Sequence, residues 1–302
     1  MSAPRRNSLS RHVPAAWKAA ARAMVLAVLV AALAPVAANA APEAEAAYTL
    51  ERSAVFSLKA ADGHDYRVMA AWPEGPAPAT GWPVLYVLDG EDNFAIVAQT
   101  MRRLARAGAR SGVEPRLVVA IESGSLARRV FDYTPATPGW KIPAGAPAAG
   151  LATGGADAFL DFLAGRVAPE IARRWSADPA RQAIIGHSFG GLLALHAYFS
   201  RPNLFDTAIA ISPSLWFGGD LIARERAANP HPVGRLLIAA GSAERGPDGP
   251  AVAAGARFVA ELKGATPPAR ATFLELAGQP HGATMLAGLP ASLAFLSEKD
   301  RK

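Results

Sequence analysis

Six short, largely apolar runs recur along the chain: Val84 to Leu88, Leu117 to Ile121, Ala183 to Ile185, Ala208 to Ile211, Leu236 to Ala240 and Ala271 to Leu276. Runs of this kind suit strands buried on both faces, which is the condition of a parallel sheet covered by helices. Between them lie segments with helical spacing, Ala95 to Ala109, Asp157 to Trp175, Gly191 to Tyr198, Ala251 to Leu262 and Met285 to Ser297, each placed to cross back over the sheet. Upstream, Thr49 to Leu58 and His64 to Trp72 alternate and are separated by Ala61-Asp62-Gly63, the mark of an antiparallel hairpin. The pattern predicts an α/β fold, a doubly wound and mostly parallel sheet of about eight strands with helices on both faces. Two long connections rich in Pro and Gly, Ser123 to Gly155 and Pro213 to Pro232, interrupt it. Connections of that length in a compact domain are usually functional or mobile, so they are expected to form the rim of a binding site.

The charge needs locating before it is interpreted. The 302-residue chain carries a formal charge of +6, which invites a nucleic-acid or membrane reading. Five of its bases, Arg5, Arg6, Arg11, Lys18 and Arg22, precede residue 41 with no acid among them, and without that segment the charge falls to +1. No later basic run is interleaved with aromatics, so no nucleic-acid partner is expected. Residues 1–40 read as an export signal: a basic start, an apolar run from Ala23 to Ala34, then Ala38-Asn39-Ala40 before Ala41. Cleavage after Ala40 would leave residues 41–302 as one domain, exported and periplasmic. The apolar run is short for a membrane span, which needs roughly twenty residues, so a membrane contact arises only if the segment stays as an uncleaved anchor. Arg5 and Arg6 resemble a twin-arginine signal only faintly. The chain has no cysteine, which excludes disulfides, thiolate metal sites and a Cys nucleophile.

The sharpest local motif is Gly186-His187-Ser188-Phe189-Gly190-Gly191, directly after an apolar strand and before a helix. This is G-x-S-x-G in the context of a nucleophile elbow, where a sharp strand-to-helix turn exposes the Ser188 hydroxyl. Side chains at 186 and 190 are expected to collide with neighbouring backbone. The turn also sets the Phe189 N–H at a helix start, where it can face a developing oxyanion. A serine hydroxyl needs a base, and His281, in the loop after the last strand, is the candidate. The order Ser, acid, His asks for a carboxylate after the strand Leu236 to Ala240; Glu244 and Asp248 both lie there, with Glu244 preferred. The second oxyanion amide is expected from Gly90 or Glu91. Asp89, Glu91 and Asp92 could suggest a metal, but no histidine accompanies them, so none is expected.

Four motifs in order, Val84 to Gly90, Arg129-Val130-Phe131-Asp132-Tyr133-Thr134-Pro135, Gly186 to Gly191 and Ser212-Pro213-Ser214-Leu215-Trp216, resemble the esterase group of α/β-hydrolases that contains the siderophore esterases. The resemblance spans roughly residues 47 to 298. It implies cleavage of carboxylic esters, with the trilactone backbone of catecholate siderophores such as enterobactin as one substrate class, ferric or iron-free. It also makes Arg129 and Trp216 candidates for the substrate rim, an Arg to meet an anion and an indole to stack on an aromatic acyl group. The structural alternatives are an Arg129–Asp132 pair and a Trp216 packed beneath its loop. The loop from Gly241 to Glu244 varies among members, which leaves the acid open.

The chemistry these residues suit is acyl transfer in two steps through an acyl-enzyme, with no cofactor. Two alternatives share the fold: an acyltransferase, and a noncatalytic ligand-binding homologue.

Overall fold

The six apolar runs and the hairpin build one sheet of eight strands in a computed structural model, which describes residues 47–298 apart from 147, 231, 248, 266 and 267. Residues 1–40, read above as an export signal, and Asp248 lie outside the described residues. Every element below belongs to the unit that begins at Leu50. A hairpin of β1 (Ser53–Lys59) and β2 (Asp65–Ala71) starts the sheet and pairs antiparallel with β4 (Leu117–Glu122). From β4 the pairing is parallel through β3 (Trp82–Val87), β5 (Ala177–His187), β6 (Thr207–Ile211), β7 (Arg235–Gly241) and β10 (Arg270–Leu276). Two further two-residue strands, β8 (Arg245–Gly246) and β9 (Gly249–Pro250), make a separate small ladder.

Period-two alternation assigns the strand side chains to two cores. Leu85, Val87, Ile185, Ile209 and Leu237 pack on one face with Phe94, Val97 and Met101 of α1 (Gly90–Ala107) and Leu289 and Leu293 of α8 (Thr284–Ser297). Val84, Tyr86, Ile184, Ala208 and Leu236 pack on the other face, against α3 (Ala156–Phe162), α4 (Ala168–Trp175), α5 (Phe189–Ser200) and α7 (Ala251–Lys263). Helices on both faces are what unbroken apolar strands require. A π-helical turn, Leu163–Val167, joins α3 to α4 within the single helical stretch expected there. Pro169, in the first turn of α4, has no N–H to continue the α-helical ladder, which is the local reason for the irregularity.

The long connections hold two helices that the pattern did not foresee, α2 (Leu126–Tyr133) and α6 (Leu221–Ala228). Both are eight residues long, too short for a clear period among prolines and glycines. β3 is followed by β4 on one side, whereas β5 lies on its other side and continues outward to β6 and β7. The strand order therefore reverses between β3 and β5, and the crevice beyond their carboxyl ends is where open α/β sheets bind ligands.

Three non-glycine residues at the carboxyl ends of neighbouring strands have positive φ: Asp89 after β3 (56°), Ser188 after β5 (59°) and Ser212 after β6 (46°). Such strain is retained where the surrounding structure enforces it, and it clusters at functional sites. At Gly186 the enforcement is direct, because an added Cβ would overlap the backbone carbonyl of Gly190 and lie 2.8 Å from Leu88 Cδ1. The collision expected at 190 is milder, 3.3 Å from Leu88 Cδ1, while Gly191 would meet Ile211 O at 3.0 Å. Gly186→Ala is expected to lower stability by more than about 2 kcal/mol, read as a fall in urea midpoint and in soluble yield. A wild-type midpoint would mean that the elbow relaxes freely.

Candidate active site

Ser188 follows β5 and caps α5 with φ 59° and ψ −116°, a conformation held from three sides. Its N–H donates to Ile211 O (3.0 Å), and its carbonyl accepts from Leu192 N (3.0 Å) and Ser214 N (3.2 Å). Adjacent strand ends thus fix the elbow, leaving the side chain half-buried at the wall of a cavity of about 510 Å³. The same cavity is lined by His281, Glu244, Phe189 and Trp216. The sequence brought Ser188 and His281 to one site from residues far apart in the chain, and they share that wall.

His281 opens the short turn (His281–Ala283) that leads into α8, with its side chain about half exposed. Its Nδ1 donates to Glu244 Oε2 at 2.7 Å. A carboxylate only accepts, so the hydrogen sits on Nδ1 and the Nε2 lone pair is left to take a proton. Glu244 is 6% exposed, and its other oxygen, Oε1, accepts from Ser212 Oγ (2.6 Å) and from Gly241 N (2.5 Å). Ser212 Oγ also lies 2.8 Å from Thr284 Oγ1, whose hydroxyl donates to the His281 carbonyl (2.8 Å). The Ser212 hydroxyl thus holds the acid and the Thr284 hydroxyl holds the backbone of His281, from side chains that touch each other, and neither residue was singled out from sequence. Ser212 stood inside a motif quoted for resemblance, and its place just past an apolar strand was the available signal.

The loops carrying Glu244 and His281 are tied by their backbones. Ser242 N donates to Leu276 O (3.0 Å), Ala243 N to Gln279 O (3.2 Å), and Gly278 N to Ser242 Oγ (2.7 Å). A Cβ at Gly241 would overlap Gln279 O, so glycine is what lets the strands' exits approach this closely.

His187 packs its ring 4.6 Å from that of His281 and bonds through Nε2 to the His281 carbonyl at 3.0 Å. A carbonyl accepts only, so His187 Nε2 carries the hydrogen. Burial, with the neighbouring His281 and Arg129 opposing charge, pushes the His187 imidazole down to about 4. Its folded value lies below the unfolded one of about 6.5, so the unfolded chain takes up this proton first as pH falls. Stability from this group is therefore whole above pH 6.5 and is lost between there and pH 4, by up to about 1.4 kcal/mol per unit. Urea midpoints at pH 7 and 5 are expected to differ more in the wild type than in His187→Asn. Equal differences would assign the acid sensitivity elsewhere.

Two expected site residues hold other partners. Arg129 does not line the cavity; Nε and Nη2 hold Asp89 Oδ1 (2.5 Å) and Oδ2 (2.8 Å) in a two-pronged pair, and Nη2 lies 3.4 Å from the His187 carbonyl. Nor does it pair with Asp132, whose partner is Arg128 (2.8 Å). Burial raises the Asp89 carboxyl and Arg129 opposes that, so the pair braces the loop after β3 against the elbow. Glu91 is the second: its amide donates to Glu122 Oε2 at 3.0 Å and cannot also serve an oxyanion, which leaves Gly90 as the candidate from that loop. The acidic trio is likewise engaged in part, Asp89 by Arg129 and Glu91 by Arg67. No group of three or more His, Cys, Asp or Glu side chains is arranged to hold a metal among the described residues.

Trp216 is half-buried on the cavity wall, 5.9 Å from Phe189 and 6.4 Å from Trp140 by ring centroids. Trp140 comes from the first long connection and Trp216 from the second, and Gly145 and Ala146 of the first also line the cavity. Both connections therefore reach the rim. No helix of the described residues is long and apolar enough to cross a membrane.

A mostly parallel eight-stranded sheet flanked by helices, with a strained serine at a strand-to-helix elbow over its switch point, defines the chain as an α/β-hydrolase. Residues 60–263 match the family described as "Putative esterase", and the chain belongs to that family. Among its relatives, the siderophore triacetylfusarinine C esterase of Aspergillus fumigatus is 38% identical over 187 residues, 58% of this chain and 60% of that protein. The ferri-bacillibactin esterase BesA of Bacillus subtilis is 32% identical over 197 residues, 61% of this chain and 68% of that protein. The solved siderophore hydrolase EstB from Aspergillus nidulans is similar with a TM-score of 0.69 at 29% identity, over 83% of this chain and 96% of that one. The alignments with four of the curated relatives span 60 to 68% of those proteins' length.

Proposed function

We propose that the protein is a serine hydrolase that cleaves carboxylic esters, with Ser188 as nucleophile, His281 as general base and Glu244 as the acid that orients it. The observation that carries this reading is the 2.7 Å bond from His281 Nδ1 to the buried Glu244, in a cavity also lined by Ser188. In the first step Ser188 Oγ attacks the ester carbonyl while His281 Nε2 takes its proton, and Glu244 stabilises the imidazolium. The N–H groups of Phe189 and Gly90 are assigned to the oxyanion. The alcohol leaves with the proton from His281, and water, activated by the same imidazole, then releases the acid and restores Ser188. No cofactor enters these steps.

The relatives named for siderophore hydrolysis favour a siderophore ester as substrate, and Trp216 with its aromatic neighbours suits a ring-bearing substrate. An exported, periplasmic location follows if residues 1–40 act as the signal their pattern suggests. The test is an ester panel that includes a catecholate trilactone with and without iron. Hydrolysis of the trilactone to its linear units supports the full reading. Cleavage of simple esters alone removes the siderophore assignment, and no cleavage of any ester, with no product transferred to an added alcohol, removes the hydrolase.

A further inference from the structure

The cavity beside Ser188 is lined by a charged side chain, Arg245, that the reaction above does not use. Its walls are mostly apolar, with Leu215, Trp216, Ile238 and Ala254 among them, and among the described residues its carboxylate and guanidinium groups are Glu244 and Arg245. Glu244 has both oxygens occupied by His281, Ser212 and Gly241, so it is not available to a ligand. Arg245 follows it directly, on β8, and no acid among the described residues lies within ion-pairing distance of it. The β8–β9 ladder, in which Arg245 pairs with Pro250, fixes its backbone at the cavity wall.

We infer that Arg245 selects esters bearing an anionic group, which its guanidinium would hold while the ester carbonyl lies at Ser188. This rests on the hydrolase reading and adds the charge of the substrate to it. Arg245 is exposed at the edge of this apolar wall, so its pull on a carboxylate or other oxyanion is the modest, salt-screened attraction of a surface guanidinium. The planar fork also allows two parallel hydrogen bonds to such a group. The arginine expected at the rim from sequence, Arg129, is bound to Asp89, so the cation that can meet substrate comes from a different loop.

The experiment compares two pairs of esters of matched length. p-Nitrophenyl hemisuccinate against p-nitrophenyl butyrate puts the anion on the acyl side, and 4-carboxyphenyl butyrate against phenyl butyrate puts it on the leaving side. The quantity read is the ratio of kcat/KM for the anionic ester over its neutral partner, so any general damage from a substitution beside Glu244 cancels. In Arg245→Gln this ratio is expected to fall roughly threefold to fivefold in one of the two pairs, and further in Arg245→Glu. Added salt should lower the wild-type ratio in the same pair and leave that of Arg245→Gln nearly flat. Which pair responds tells which half of the ester faces Arg245. Ratios unchanged in both pairs overturn the inference while the hydrolase reading stands, since neutral esters are still cleaved. Failure of the wild type to cleave any of the four would instead strike the underlying reading.

Discussion

Ser188→Ala is expected to lower kcat for any cleaved ester by about 10⁴-fold to 10⁶-fold, with the fold retained. The elbow is held through backbone groups, the Ser188 N–H to Ile211 and its carbonyl to Leu192 and Ser214, and alanine keeps all three. The urea midpoint should therefore stay close to wild type while activity drops to what binding and the oxyanion amides supply alone. Labelling by a fluorophosphonate, which reports the nucleophile itself, should disappear in step. Activity retained above about 1% of wild type, or labelling that persists, would take the nucleophile away from position 188. A loss of activity that comes with a lost thermal transition would say only that the elbow no longer folds, and Ser188→Cys, which keeps a nucleophile of similar size, then carries the test.

Much of this was legible because the relevant physics is local. Apolar runs marked the buried strands, and the glycines of the elbow gave its sharp turn away. Where polar residues intrude, the same signal shortened the element: β5 begins at Ala177, six residues before the run from Ala183, because Asp178, Arg181 and Gln182 break the apolar pattern. Similarly α1 begins at Gly90, since Asp89 in a left-handed conformation turns the chain straight into the helix, and Asp-Gly reads as a loop from sequence. Pairings were harder. Arg128 and Arg129 are neighbours in α2 with opposite tasks, one on Asp132 and one on Asp89, and only the phase of an unforeseen helix decides between them. The bond from Thr284 to the His281 carbonyl stays within one turn, but that from Ser212 to Glu244 joins residues 32 positions apart on separate loops, and no spacing rule encodes it. Arg245 passed unnoticed because a guanidinium next to an acid looks like an ordinary surface pair.

Glu244→Gln is expected to lower kcat by about 10³-fold to 10⁴-fold with little change in stability, whereas Glu244→Ala should lose both. Glutamine has nearly the shape of glutamate, and its carbonyl oxygen can go on accepting from Ser212 Oγ and Gly241 N. Its amide nitrogen then faces His281 Nδ1, where a carboxylate oxygen accepted at 2.7 Å. Two N–H groups cannot bond to each other, so the imidazole moves its hydrogen to Nε2 and presents Ser188 with a donor instead of a base. Alanine removes the acceptor altogether and leaves the Gly241 amide unsatisfied at a buried site, at a cost of about 1 to 3 kcal/mol, while the Ser212 hydroxyl turns to Thr284 Oγ1. Activity and urea midpoint measured on both variants separate the two effects. If Glu244→Gln kept near-normal turnover while Asp248→Asn lost it, the orienting acid would be Asp248. If neither mattered, His281 would work without one.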